Sequence, residues 1–273
     1  MTSEEYFASE GLSNSMMTKL LKSPAHLKYY LDNPDSDAST PAQVLGQQVH
    51  TALLEPELFK DFVRGVDGDR RTKAVKEQHK ELVEQYGAEN IIKPATYDQI
   101  DGMVKSVMAN PHASSAIRSA QLEGMIEESL FWVDSQTHVN CKARVDVIPS
   151  SSSMYGDSLI DFKSTIDASM ESFSKSVWNF GYARQAFFYL RGWNALNPDE
   201  ERTNFIIIAC EKSPPYATAM YELNKDCLGF GAVEVNALLR LYAECDDENK
   251  WPSYPHTIQE LEVPAWATPR IGQ

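Results

Sequence analysis

The segment "SLIDFKST", residues 158–165, decides what kind of protein this sequence encodes. It is a short apolar run between the serine-rich "PSSSSMYGDS" and "IDAS", a pattern typical of a β-strand. Asp161 and Lys163 lie two positions apart in it, and side chains with that spacing point to the same face of a sheet. An ion pair at the strand end is the simplest explanation, and a catalytic pair is the alternative.

A second acid lies near the end of the preceding predicted strand. Asp146 occurs in "ARVDVI", where alternation predicts that Val145 and Val147 form the pair that faces the core. Asp146 could end the strand by binding a backbone amide. It could equally stand beside Asp161 at the edge of the same sheet.

Two predicted helices carry further candidates. His50 ends "GQQVH", and Gly46, one turn earlier, would let another backbone approach the face of the histidine. Gln185 and Tyr189 in "RQAFFYL" are four residues apart, so both face the same way. Each has an ordinary structural interpretation: His50 as a half-buried histidine, and the pair Gln185 and Tyr189 as part of a helix–sheet interface.

The order of predicted elements indicates an α/β (α+β) fold with a central mixed sheet flanked by helices. A first helix, capped by Ser13 or Ser15, stops near Pro34, and more helices follow up to about residue 120. Three strands come next, the first two joined by a short "SQ" hairpin connection, and then helix, two strands and helix. We predict one domain over 1–273: a helical part at about 10–120, a sheet core at about 126–245 and an extended tail at 250–273.

Composition limits the classes of function. Lys and Arg number 25 against 39 Asp and Glu, a net charge of −14, which argues against a nonspecific binder of polyanions. An enzyme that gathers carboxylates for metal ions and confines its basic residues to a channel remains compatible with this charge. The four cysteines lack metal-site spacing, and neither a signal peptide nor a membrane span is apparent. The sequence therefore predicts a cytoplasmic protein with reduced, mostly buried thiols.

Taken in order, these motifs resemble the PD-(D/E)xK nuclease superfamily. An acid on one strand followed by acid-x-lysine on the next is its core pattern, and an upstream histidine with a QxxxY helix marks its RecB-like branch. The segments "GLSNSMMTKLLKSPAHLKYYL" and "LGQQVHTALLEPELF" are most similar to the exonuclease VIII (RecE) type of phage and prophage recombination nuclease. Two departures are minor: no proline precedes Asp146, and the acid of the acid-x-lysine pair is aspartate. The clustered cysteines of iron–sulfur members are missing.

The resemblance implies a restriction-endonuclease-like core and a metal-dependent exonuclease. Such an enzyme degrades linear double-stranded DNA 5′-to-3′ and leaves single-stranded tails for recombination. It also implies DNA ends as the substrate, a single-strand annealing protein as a partner and a ring-shaped homo-oligomer, with no membrane. The alternatives are a RecB-like single-strand or flap endonuclease and a catalytically silent DNA-binding module.

The resemblance also assigns roles to the candidate residues. Hard oxygen ligands suit Mg²⁺ and a histidine nitrogen suits Mn²⁺, so the predicted metal ligands are His50, Asp146 and Asp161. Lys163 would orient or deprotonate the attacking water, Gln185 would orient the water or a phosphate oxygen, and Tyr189 would bind the DNA backbone or a ligand carboxylate. The remaining candidates are phosphate contacts at Arg144, Lys175 and Arg184, an additional carboxylate at Glu127 or Glu128, and base stacking by Trp178, Phe180 and Tyr182. For these three aromatic residues a core cluster is the favoured interpretation.

Overall fold

A computed structural model describes residues 1–33, 40–69 and 71–263, and helices dominate the part of it that precedes residue 124. Two very short parallel strands, β1 (Val63–Arg64) and β2 (Ile91–Ile92), flank the sixth helix. The helices are α1 (Ser3–Ala8), α2 (Asn14–Lys22), α3 (Pro24–Asp32), α4 (Pro41–Leu54), α5 (Pro56–Phe59), α6 (Lys73–Tyr86), α7 (Pro94–Ala109) and α8 (Pro111–Glu123).

The first predicted helix is two helices. Ser23 is fully extended and caps α3, and Pro24 occupies the first turn of that helix, so the chain turns between α2 and α3. Ser13, and not Ser15, is the cap of α2, because its hydroxyl accepts a hydrogen bond from the backbone N–H of Met16. The predicted stop near Pro34 lies outside the described residues.

The helix that carries His50 begins and ends at capping and proline signals of the sequence. Thr40 and Gln43 form a reciprocal capping box at the start of α4, where Pro41 is the first helical residue. The helix ends before Pro56 and buries Val49 and Leu53. These signals fix the position of His50 on the last turn but one of α4.

The second half of the chain forms a mixed five-stranded sheet with the order β3-β4-β5-β6-β7. The β3–β4, β4–β5 and β6–β7 pairs are antiparallel, while β5–β6 is parallel and is connected by two helices, as a parallel crossover requires. The predicted mixed sheet flanked by helices is confirmed. Its elements are β3 (Met125–Val133), β4 (Asn140–Ile148), β5 (Ser158–Thr165), α9 (Met170–Asn179), α10 (Tyr182–Leu196), β6 (Asn204–Glu211), β7 (Thr218–Glu222) and α11 (Lys225–Asp247).

Helices cover both faces of the sheet and enclose two cores. We call them the α10-side core, which includes Trp132 and Phe188 beneath α2, α10 and α11, and the α4-side core, which includes Met103 and Phe162 beneath α4, α7 and α8. Residues of β5 alternate between the cores, with Leu159 in the first and Phe162 in the second. This alternation turns Asp161 and Lys163 toward α10.

Several features lie outside the sheet. Three of the four cysteines are buried and all are free thiols, as predicted. Residues 251–263 contain no helix or strand, and the rest of the predicted tail lies outside the described residues. Among the described helices, none combines the length and the apolar character that a membrane crossing requires. The single-domain organisation stays a prediction.

Candidate metal and catalytic site

Strand register brings three carboxylates into one row. The β3–β4 ladder pairs Ile126 with Val147 and Glu128 with Val145, which places Glu127 opposite Asp146. The β4–β5 ladder pairs Val147 with Ile160, which places Asp146 opposite Asp161. We call Glu127, Asp146 and Asp161 the carboxylate row. Like charges on facing positions of a sheet repel, so this row needs cations beside it.

The backbone changes direction where the row crosses β3 and β4. Glu127 has a φ of 52°, a left-handed conformation that is uncommon outside glycine. Val145 and Val147, predicted to face one core together, lie in different cores, the α10-side and the α4-side core respectively. The prediction for this pair is wrong because the regular alternation of the two strands is interrupted at Glu127 and Asp146. Strained backbone of this kind is concentrated at functional sites.

The side chain of Asp146 supplies a hydrogen bond between β4 and β5. Its Oδ2 accepts a hydrogen bond of 2.7 Å from the backbone N–H of Phe162 on β5. Burial raises the pKa of Asp146, and the neighbouring carboxylate of Asp161 raises it further. The predicted alternative, an acid that binds a backbone amide at a strand end, therefore holds together with a position inside the row.

His50 approaches the row from the α4 side of the sheet. Its Nε2 lies 3.1 Å from the carbonyl oxygen of Phe162, and its Nδ1 lies 3.4 Å from Glu127 Oε1 and 3.6 Å from Asp146 Oδ2. Since the carbonyl can only accept, Nε2 carries the proton, and in neutral His50 the lone pair of Nδ1 faces the carboxylates. Burial lowers the pKa of His50, but Asp146 and Glu127 outweigh it and raise that pKa to about 9.

Gly46 does not have the predicted role. A Cβ atom at this position would meet only the side chain of Ser164, at an ordinary contact distance of 3.6 Å. The backbone that approaches His50 is instead that of Phe162, whose ring also packs edge-on against the imidazole at 5.2 Å. Phe162 therefore contacts the imidazole ring of His50 directly, and Gly46 takes no part in this contact.

Asp161 and Lys163 form the ion pair that their spacing predicts. Lys163 Nζ lies 2.6 Å from the buried Oδ2 of Asp161. The ammonium also lies 5.1 Å from the centre of the Tyr182 ring. Burial lowers the pKa of Lys163, but Asp161 and Asp146 outweigh it, so the net shift is upward.

Gln185, on α10, supports Asp161 from the side of the sheet that is opposite to His50. Its Nε2 donates a hydrogen bond of 2.7 Å to Asp161 Oδ1, and the side chain is buried. Gln185 therefore holds the carboxylate in position instead of reaching the predicted water or phosphate oxygen. Tyr189, one turn later on α10, is half-buried with its ring 6.3 Å from Phe205. Burial raises its pKa well above the ordinary value, with further contributions from Tyr6 and Asp161, so the phenol stays neutral.

The donor atoms fit a hard divalent cation. One ligand atom each from His50, Glu127 and Asp146 lie within 4.8 Å of one another. Asp161, a predicted ligand, is outside this group, and Gln185 and Lys163 hold its carboxylate. Carboxylate oxygens with one imidazole nitrogen are a ligand set for Mg²⁺ or Mn²⁺. Glu127, considered only as an additional carboxylate, is thus as well placed as the predicted ligands.

Comparison with known families agrees with this geometry. A sequence model of the family described as "PDDEXK-like domain of unknown function (DUF3799)" matches residues 13–262. The chain belongs to this family. No match was found among curated protein sequences.

Two solved structures are similar to this PDDEXK-like chain. A "Putative exonuclease" from Eubacterium rectale shares 14% identity with a TM-score of 0.58, and the match covers 92% of this chain and 87% of that one. A phage related exonuclease from Haemophilus somnus 129PT shares 13% identity with a TM-score of 0.32, covering 67% of this chain and 91% of that one. The first similarity supports the fold.

The three predicted phosphate contacts of the PDDEXK-like domain have different environments. Arg144 donates a hydrogen bond of 2.7 Å to Glu127 Oε2, so it offsets the charge of one member of the carboxylate row. Lys175 is exposed on α9 at the edge of the cleft, 3.2 Å from Glu171. Arg184 is buried and does not fit the prediction, as the following contacts show.

Arg184 has a structural role. Its guanidinium donates hydrogen bonds to Asn14, Thr18 and Glu234 and thereby ties α10 to α2 and α11. Only 2% of its surface is exposed. Adjacent residues of a helix point about 100° apart, so the neighbour of Gln185 faces away from the row.

A cleft of about 820 Å³ opens beside Lys163 and His50. The charged residues of its lining besides these two are Lys175, Lys212 and Asp167, and most of the others are polar. Positive charge therefore exceeds negative charge in this lining, in contrast to the chain as a whole. The predicted core cluster of aromatic residues is wrong for Trp178 and Phe180, which are 52% and 63% exposed, whereas Tyr182 is half-buried.

Proposed function

We propose that this PDDEXK-like chain is a divalent-metal-dependent deoxyribonuclease that degrades linear double-stranded DNA from its ends. The observation that carries the proposal is the carboxylate row, with His50 Nδ1 turned toward it and Lys163 beside it at the wall of an open cleft. A silent DNA-binding module has no use for three carboxylates on facing strand positions. The lysines of the cleft lining support an anionic substrate.

His50, Glu127 and Asp146 would hold the cation, together with Asp161. When bound, Mg²⁺ or Mn²⁺ supplies a nucleophilic water at neutral pH and neutralises charge on the phosphate. The hydrogen bond from His50 Nε2 to the Phe162 carbonyl fixes the tautomer that offers Nδ1. Arg144 keeps Glu127 ionised by donating to its second oxygen.

Lys163 acts as an ammonium group. Because the net effect of its surroundings raises its pKa, it stabilises negative charge that develops on the phosphate and orients the attacking water. Deprotonation of the water by Lys163, the other predicted role, is disfavoured by the same shift. Gln185 contributes by fixing Asp161, and the phenol of Tyr189 stays neutral.

The finer features of the proposal come from sequence resemblance. The histidine, Asp146, the Asp161-x-Lys163 pair and the QxxxY helix resemble exonuclease VIII-type nucleases, which supports 5′-to-3′ polarity and single-stranded tails for recombination. The name of the Eubacterium rectale protein also supports an exonuclease. On the same resemblance we propose a single-strand annealing protein as partner, a ring-shaped oligomer and a cytoplasmic location.

End-labelled duplex DNA in linear and in covalently closed circular form tests the proposal. With Mg²⁺ or Mn²⁺, the chain is expected to degrade the linear form, to leave circles intact and to be inactive in EDTA. A 5′ label should be released as mononucleotide before a 3′ label. Nicked circles would indicate an endonuclease, and unchanged DNA in every condition would refute the proposed activity.

A further inference from the structure

Three exposed aromatic side chains start from the lining of the cleft: Phe180 lies in that lining, Trp178 precedes it by two residues, and Phe230 contacts Trp178. Phe180 is 63% exposed and lines the same cleft as Lys163, Trp178 is 52% exposed, and Phe230 on α11 is 66% exposed. The rings of Trp178 and Phe230 meet edge-on at 5.6 Å. We call these three residues the aromatic ledge. Single exposed apolar residues are ordinary, but a cluster beside a functional cleft marks a binding surface.

The backbone holds Phe180 outward. Its N–H donates to the Ser176 carbonyl at the end of α9, and Gly181 follows in a left-handed conformation with φ of 68°. The Gly181 carbonyl then accepts the first hydrogen bond of α10, from Gln185. A Cβ at Gly181 would lie 2.7 Å from the Arg184 guanidinium, which the hydrogen bonds described above hold in place. The turn is therefore fixed, and the Phe180 ring stays in solvent at an energetic cost that a ligand would remove.

The chemistry of the cleft indicates what the ledge receives. Lys163, Lys175 and Lys212 suit a phosphate backbone, and the hydroxyl and amide groups of the lining add neutral hydrogen-bond partners. The ledge begins at this lining with Phe180. A molecule that offers phosphates to the cleft and flat apolar faces to the ledge is a nucleic-acid strand whose bases are unpaired, because bases inside a duplex are already stacked.

We infer that the aromatic ledge stacks unpaired bases of the DNA strand that enters the cleft, with Phe180 as its main contact. This inference rests on the proposed deoxyribonuclease function and adds that the scissile strand is locally single-stranded when it is cut. Stacking on an aromatic face accepts any base, which suits degradation without sequence preference.

Cleavage of a duplex with a short unpaired end tests the ledge, with kcat/KM measured for Phe180→Ala, Phe180→Trp and the wild type. Phe180→Ala should lower kcat/KM roughly 5- to 150-fold, the range for loss of one stacked base, and Phe180→Trp should restore it. Tyr29→Ala is the matched control, since Tyr29 is also 63% exposed but lies on α3 outside the lining of the cleft. It should cut like the wild type, and all variants should keep the thermal midpoint of the wild type.

An abasic scan along the unpaired end separates stacking from other roles of Phe180. At one position, removal of the base should slow the wild type by the same factor as Phe180→Ala, and should cause no further loss in that variant. Independent losses at every position, or equal activity of Phe180→Ala and the wild type, would overturn the stacking inference while the nuclease stands. A wild-type chain that cuts no substrate would instead refute the proposed function.

Discussion

The two ends of the β3–β4 hairpin both bury an acid, but the groups that surround the acid differ. At the turn, Asp134 has a fully buried side chain that accepts hydrogen bonds from the backbone of Gln136 and from the backbone and hydroxyl of Thr137. Arg191 pairs with its other oxygen. One charge meets one opposite charge and three donors, as expected of an acid that stabilises a fold.

At the other end of the hairpin, three acids lie on facing positions of adjacent strands. Glu127 and Asp146 face each other across the ladder, and Asp161 continues the row. The pKa of Asp146 is raised, as expected where burial and like charges disfavour ionisation. The comparison shows that burial alone does not distinguish a structural acid from a functional one. What differs is the presence of further carboxylates beside it, which Asp146 has in Glu127 and Asp161.

The largest difference in cleavage and stability should come from removing one carboxylate charge at each end of the hairpin. Asp146→Asn keeps an acceptor for the Phe162 N–H but removes a ligand, so DNA cleavage should fall to the detection limit while the thermal midpoint without metal stays equal or rises. Asp134→Asn should keep cleavage of the folded protein and lose about 3 kcal/mol of unfolding free energy, because Arg191 loses its partner. Cleavage assays and denaturant unfolding on both variants check this, and near-normal cleavage by Asp146→Asn would contradict it.

Lys163→Met separates a catalytic lysine from a strand-end ion pair. The aliphatic stem remains, so packing changes little, but the rate of cleavage should fall by about 100- to 10,000-fold. As an ion pair alone, Lys163 would contribute to stability, because Asp161 is buried, and nothing to turnover. Lys105→Met, which removes an exposed lysine paired with Asp101, is the control and should cut normally. A Lys163→Met protein that cleaves DNA within a few-fold of the wild-type rate would show that Lys163 serves only as an ion-pair partner of Asp161.

Gln185→Leu should lower the rate of DNA cleavage less than Asp146→Asn or Lys163→Met does. Loss of the hydrogen bond to Asp161 Oδ1 leaves the carboxylate less well oriented, and groups that orient ligands contribute about 10- to 100-fold to metal affinity or activity. Cleavage measured against Mn²⁺ concentration should show a higher requirement for metal and partial rescue at saturation. Unchanged metal dependence would mean that Gln185 serves only the helix–sheet interface.

The metal-free protein should lose stability as pH rises from about 6.5 to 9. His50 has a pKa raised from 6.5 to about 9, so its contribution is complete below 6.5 and disappears as it deprotonates in the fold. Ionisation of Asp146 also lowers stability as pH rises, but mainly at lower pH, because its pKa is raised from 3.8 to about 7. Thermal midpoints in EDTA should fall across this range, and less steeply for His50→Gln. Equal slopes for the two proteins would rule out the proposed protonation of His50.

The sequence predicted elements and local spacings better than contacts between distant segments. Asp161 and Lys163 meet because strand alternation requires it, and α4 begins and ends at its cap and proline signals. The predicted "SQ" connection would have placed Glu127 opposite Arg144. Asp134 instead organises a longer turn, with His138 at φ of 58°, which shifts the register by two residues and brings Glu127 to Asp146.

The remaining errors have a common physical origin. Arg184 adjoins Gln185 in sequence, but helical geometry turns it toward α2 and α11, and only the packed structure reveals its three partners. Exposure of Trp178 and Phe180 likewise depends on where α9 ends relative to the cleft. The contact between His50 and Phe162 joins residues 112 positions apart, and no local pattern encodes it.

Calorimetric titration with Mn²⁺ tests the central claim, that the carboxylate row is a divalent-cation site, most directly. The wild type and Asp134→Asn should bind Mn²⁺ with similar affinity, and Asp146→Asn should lose that binding while remaining folded by circular dichroism. Equal Mn²⁺ binding by Asp146→Asn and the wild type, or none by the folded wild type, would contradict the account.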